Sequence, residues 1–336
     1  MSDKSFLFIT KSYWPGVVSC LDNMAIIIKE IYPSAKVGKA YMGPKESVFG
    51  VLKMMQQSPP DYLILGGWDN DIKLVVQNKA KKTTSILKWC SPITQIELGS
   101  EIPQFTDVWN ISKTDKLDHI GFGLESDVEA LNQTNDKFIH LPVYLDTNYL
   151  DGVNVNESVL REGINCDMFC AANPRKNILA QTFSLSAFNG KITTHINYGQ
   201  NAATPYSVVC GQVLESLVNH QWIPDKPRYL SIIKGMDFAL AVTLSESFNY
   251  TAAEHMYLGI PVICSEVIPF VKNEKNIEPI VIRRPEDLKE IQNAISILVN
   301  DEDARKELGI KSRNVFIKNN IKSKNILKNN LEVITR

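Results

Sequence analysis

The sequence predicts an α/β protein built on parallel sheets and divided into two domains. Three observations carry this. Short apolar runs of strand length alternate with helix-length stretches along the chain. Residues 237–270, DFALAVTLSESFNYTAAEHMYLGIPVICSEVIPF, form a complete strand–loop–helix–strand unit, the βαβ module of a parallel sheet. After a polar stretch at 150–163 the strand–loop–helix rhythm restarts at Cys166, and 336 residues exceed one ordinary domain but fit two.

In order, 5–10 (SFLFIT) is the first strand, 11–19 (KSYWPGVVS) a loop and 20–31 a helix. Residues 62–65 are a buried strand closed by the turn GGWDN, and 85–89 another closed by CSP. A strand at 119–123 leads to a helix from Ser126, and 138–142 and 143–146 follow. The second half opens with strand 166–172, loop 173–177 and helix 178–188. Strand 191–198 precedes helices at 204–219 and 227–235. Strand 238–244 ends in the polar turn Ser245-Glu246-Ser247. The helix 248–258 has Ser247 or Asn249 as N-cap, with Gly259 and Pro261 as its stop. Strands 261–264 and 279–282, a helix at 285–298 and two helical stretches, 301–317 and 323–334, close the chain.

At 44% hydrophobic and 22% charged residues, the composition suits ordinary cores and is unlike that of a disordered chain. A net charge of −1 creates no global attraction to nucleic acid or an anionic membrane. The nine lysines and arginines between Arg305 and Arg336 read as the solvated face of an amphipathic helix. MSDKSFLFIT lacks the apolar core of a signal peptide, and no run approaches the ~18 apolar residues of a membrane span. The six cysteines (20, 90, 166, 170, 210 and 264) lack metal-ligand partners and fit reduced, buried thiols in a cytoplasmic protein.

Glu246 stands in the loop at the carboxyl end of a strand, where ligands of open α/β sheets bind. That loop meets a helix N-terminus, which favours phosphate. Glu254 follows about two turns into the helix, so two carboxylates are available to two sets of hydroxyls on a sugar nucleotide. From spacing alone, a capping Glu246 and a solvated Glu254 remain open. Upstream, Asn173-Pro-Arg175-Lys176-Asn177 puts two cations at another strand end beside a helix start, a diphosphate clamp or a pair of exposed turn charges.

The words around the acids, SESFNYTAAEHMYLGIPVI, resemble the E-x7-E signature of GT-B glycosyltransferases, notably glycosyltransferase family 4. MYLGIPVICSE resembles the family's "A.G.PVI.S" continuation and FIHLPVYLDTNYLD its "V.PNGVD...F" passage. The RKN loop looks like a phage and bacterial branch. The resemblance covers 166–271 well and the rest weakly. It implies a GT-B fold, two Rossmann-like domains facing a cleft. These would be an acceptor-side domain at 1–150, a nucleotide-sugar domain at 151–316, and a helix at 317–336 packing back on the first.

By the same resemblance, Glu246 contacts the donor sugar and Glu254 the ribose, while Asn173, Arg175 and Lys176 clamp the diphosphate. Ser247, Phe248 and Asn249 complete the donor loop, Gly16-Val17 brings backbone toward phosphate, and Trp222 and Ile223 hold the base. The histidine that retaining members carry at an N-terminal strand end is missing. Asp69 stands in a comparable place, either as a general base for an inverting enzyme or as a turn residue beside Asn70. His119 and His140 read as core residues. The implied reaction moves a sugar from a nucleotide-sugar, UDP-linked, to an acceptor hydroxyl, with retention and without a metal. The acceptor is a glycan or lipid-linked glycan by default. Three alternatives stand beside this. Lys79, Lys81, Lys82 and Lys88 keep a hydroxymethylated DNA base in view as acceptor. The others are a non-catalytic nucleotide-sugar-binding protein and an epimerase.

Overall fold

The computed structural model describes residues 4–44, 46–98, 101–198, 204–220, 223 and 225–336, the side chains of 98 and 157 apart. The chain divides into two compact units, Met1–Leu145 with Asn320–Arg336, and Asp146–Asn319.

The first unit contains strands β1 (Ser5–Lys11), β2 (Lys36–Met42), β3 (Tyr62–Gly66), β4 (Thr84–Lys88), β5 (His119–Phe122) and β6 (Phe138–His140). Its helices are α1 (Pro15–Ile31), α2 (Val48–Gln57), α3 (Asn70–Gln77), α4 (Ile93–Leu98), α5 (Ile102–Ser112) and α6 (Glu125–Asn132). The strands run parallel in the order β2-β1-β3-β4-β5-β6. Phe8, Ile9, Ile64, Leu65, Ile86 and Leu87 are wholly buried at its centre. Each such side chain contributes about 1.5–3 kcal/mol, so the central strands hold the unit together.

The second unit has β7 (Ile164–Phe169), β8 (Ile192–Asn197), β9 (Leu217–Asn219), β10 (Phe238–Ala241), β11 (Val262–Ser265) and β12 (Val281–Ile282). Its helices are α7 (Ile178–Ser186), α8 (Pro205–Val213), α9 (Lys226–Ile233), α10 (Tyr250–Tyr257) and α11 (Leu288–Asn300), and α12 (Glu302–Ile334) begins here. The parallel order is β12-β11-β10-β7-β8-β9, the Rossmann arrangement, whose direction of winding reverses between β7 and β10.

Several boundaries differ from the sequence reading. α1 begins at Pro15, because proline's fixed φ and missing N–H suit a first helical turn. Gly16 and Val17 are therefore helical, and the Val17 N–H is already bonded to the Trp14 carbonyl at 3.0 Å. β2 (KVGKAYM) is an edge strand that buries little, so it offers no apolar run to read. α8 stops at Val213, and 217–219 pairs with β8 as a strand. β10 ends at Ala241, and Pro279 lies in a 3₁₀ segment ahead of a two-residue β12. α12 is one helix of 33 residues. The Asn319-Asn320 pair does not break it, since Asn319 bonds the Val315 and Phe270 carbonyls and Asn320 the Leu145 carbonyl. Gly259, at φ +83°, ends α10, and Gly309 allows α12 to approach it: a Cβ there would stand 2.2 Å from the Gly259 oxygen.

Candidate functional site

The reversal point of the second sheet collects the loops after β7 and β10. In the first, the Asn173 side chain accepts a hydrogen bond from the Arg175 N–H at 3.0 Å and starts the single turn Pro174–Lys176. Asn177 then takes a left-handed backbone, φ 52°, which asparagine tolerates, and launches α7. The two loops are stitched together. Leu244 N donates to Arg175 O at 2.8 Å, and Arg175 Nη1 to Ser245 O at 3.2 Å. Gln181 joins them from α7, its Nε2 donating to Lys176 O at 2.7 Å and its Oε1 accepting from Val242 N at 3.1 Å.

This stitching presents Glu246, 5% exposed, to two cations. One carboxylate oxygen takes the Arg175 guanidinium at 3.1 Å and the other the Lys176 ammonium. Asn249 Nδ2 adds a bond to Glu246 Oε1 at 3.3 Å. Asn249 is also the N-cap of α10, with φ 74° and its Oδ1 accepting from Ala252 N at 3.1 Å. Two cations facing one carboxylate leave a surplus of one positive charge. Phe248 turns away into the core, its ring 5.3 Å from that of Phe270, so packing is its role. Thr243 and Ser265 bring buried hydroxyls, without a hydrogen-bond partner among the described residues, to the ends of β10 and β11.

Glu254, about one turn along α10, is 2% exposed. Tyr149 donates its hydroxyl to Oε1 at 2.8 Å, and the Lys226 ammonium, at the start of α9, pairs with the same oxygen. Lys226 also lies over the rings of Tyr229 (4.6 Å) and Tyr149 (5.4 Å). Burial, followed by the Glu254 charge, pushes both phenols above their usual range. A cavity of about 650 Å³ opens beside this cluster, lined in part by Asp151, Val153, Arg228 and Ser231. Beneath, His255 Nε2 meets Asp167 Oδ2 at 2.7 Å, both fully buried. Burial works against a charge on His255, but Asp167 outweighs it and holds the imidazole above its usual value.

The structure thus brings together Asn173, Arg175, Lys176, Glu246 and Asn249, with Ser247 half-buried in the same loop. Glu254 lies on α10 with partners of its own. Ile223 is half-buried ahead of α9, and Trp222 lies outside the described residues. Gly16, Val17 and Asp69 belong to the other unit. Val17 packs there, since a Cβ on Gly66 would sit 2.5 Å from its Cγ1. Asp69 caps α3, accepting from Ile72 N at 2.9 Å, and its second oxygen is 3.4 Å from Lys11, which also pairs with Asp71. Asp69-Asn70-Asp71 has the Asp-x-Asp form of a metal motif, but this ammonium stands between its acids. Among the described residues no three His, Cys, Asp or Glu side chains are grouped to hold a metal. Sequence reasoning missed Tyr149, Lys226 and Gln181, whose links to the site are made by folding alone.

No protein-family model matches the sequence, and no curated protein does. Solved structures match over the full chain. HepE of Anabaena, in complex with UDP and glucose, gives a TM-score of 0.75 at 13% identity, over 98% of this chain and 100% of that one. The sucrose-phosphate synthase of Thermosynechococcus elongatus gives 0.70 at 11% identity, covering 99% and 96%. A glycosyltransferase from Rickettsia africae ESF-5 gives 0.65 at 13% identity, covering 99% and 98%. The class that these likenesses define is the GT-B fold, an α/β architecture with two Rossmann-like units. Among the described residues no helix is long and apolar enough to cross a membrane.

Proposed function

We propose that the protein is a glycosyltransferase of the family 4 type, moving a sugar from a UDP-linked donor to an acceptor hydroxyl with retention and without a metal. The observation that carries this is the cation loop at the reversal point of the second sheet. Arg175 and Lys176, fixed by backbone bonds, hold one more charge than Glu246 neutralises. A diphosphate arriving there meets a preorganised positive site. As the sugar leaves, the same cations offset the charge growing on UDP, an electrostatic form of catalysis. Glu246 exchanges part of its cation contact for hydroxyls of the donor sugar, and Glu254 receives the ribose hydroxyls. HepE, the fold neighbour with UDP and glucose, supports the choice of donor class.

Retention needs no external base. Asp69, with one oxygen in a helix cap and the other toward Lys11, is poorly placed to take a proton, which favours retention over inversion. We assign the acceptor, a glycan hydroxyl, to the other unit. The test is incubation with single UDP-sugars and a panel of sugar acceptors, following UDP release and product mass. Release with one donor, coupled to a heavier acceptor, is the expected result. Conversion of the donor to another UDP-sugar without transfer would point to an epimerase. No change with any donor would refute the reading.

A further inference from the structure

We propose that Lys226 is a positioning residue of the donor site, whose ammonium holds the Glu254 carboxylate aimed for the ribose. This rests on the reading of Glu254 as the ribose-binding acid.

Glu254 is almost wholly buried, and a buried carboxylate must be balanced by charge or take up a proton. The groups that face it are Tyr149, from the turn Asn148–Leu150, and Lys226 and Tyr229, from α9. Its sequence neighbour His255 points instead to Asp167 of β7, which uses its charge. The two phenols are neutral, since the shifts they carry are upward. Among the described residues, Lys226 is the only cation within ion-pair distance of Glu254. A ribose diol brings hydrogen-bond donors but no charge, so it cannot replace the ammonium. Lys226 therefore stays on Glu254 while the diol binds, held at its other side by the Tyr149 and Tyr229 rings. Its own side chain is 48% exposed, so removing its charge leaves the core of the unit intact.

The test is calorimetric titration of UDP and of its 2′,3′-dideoxy analogue into the native chain, Lys226→Met and Lys226→Arg, read as each chain's preference for UDP. The native chain should prefer UDP by about tenfold, through charge-assisted bonds from the diol to Glu254. Lys226→Met should bind the two within about threefold of each other, and Lys226→Arg should keep the native preference. A Lys226→Met chain that keeps the full preference would overturn the proposal and leave Lys226 a packing residue. Failure of the native chain to bind UDP at all would overturn the donor-site reading itself, and this proposal with it.

Discussion

Each sheet has one point where its direction of winding reverses, and each puts charged side chains there, with opposite balance. In the first unit the point lies between β1 and β3, where one ammonium, Lys11, faces two carboxylates, Asp69 and Asp71, a surplus of −1. In the second it lies between β7 and β10, where two cations, Arg175 and Lys176, face one carboxylate, Glu246, a surplus of +1. The same topological position carries a charge balance that repels an anion in one unit and attracts one in the other. Fold makes the position available, and a difference of a few side chains decides what can occupy it.

Removing the positive surplus breaks the comparison most directly. Arg175→Ala with Lys176→Ala should lower turnover by ~10³-fold, the scale of a lost transition-state donor, while Lys11→Met leaves it within about threefold. Initial rates at saturating donor decide this.

Glu246→Gln comes next. It leaves Lys176, 8% exposed, without its acid, and breaking a buried pair costs about 3–5 kcal/mol, read as a lower denaturation midpoint. Asp71→Asn should cost under about 1 kcal/mol, because that side chain is 40% exposed and solvent screens the pair.

The Asp167–His255 pair, which ties α10 to β7, sharpens the comparison through pH. His255 titrates above its usual 6.5 in the fold, so the pair stabilises fully below that value and loses its contribution as pH rises through the higher folded value. The melting-temperature gap between the native chain and His255→Asn should be widest near pH 6 and shrink above neutrality. His195 works in the opposite sense. Burial, with His220 and Arg161, holds it down to about 4, so it weakens the fold as pH falls from 6.5 toward 4. The smallest effect on turnover belongs to Asp69→Ala, within about twofold of native, while its lost helix cap costs about 1 kcal/mol in denaturant titration.

Much of this was legible in the sequence where burial is two-sided. β1, β3, β4, β7, β10 and β11 announce themselves as largely apolar runs because both faces are covered, whereas β8 (ITTHIN) is buried throughout with mostly polar residues. The edge strand β2, with lysines at 36 and 39, does not announce itself, and 217–219 was absorbed into a helix because three residues carry no period. Of the candidate site, Arg175, Lys176, Glu246 and Asn249 stand out in the sequence because each sits in a local motif at a strand end, and Glu254 because of its spacing from Glu246. Tyr149 and Lys226 do not: they reach Glu254 from 105 and 28 residues away, and no local pattern encodes that meeting. Phe248 was misread because a loop position does not reveal that its ring turns inward onto Phe270. Lys88 belongs to the lysine group that keeps a DNA acceptor in view, yet its side chain is fully buried at the end of β4.

The most direct test of the charge-balance account is calorimetric titration of UDP and of uridine into the native chain and into the Arg175→Ala, Lys176→Ala double variant. The account predicts that the native chain prefers UDP by ~100-fold or more, through charge-assisted bonds to its phosphates, and that the double variant binds the two alike. A native chain that does not distinguish UDP from uridine, or a double variant that keeps the preference, would contradict it.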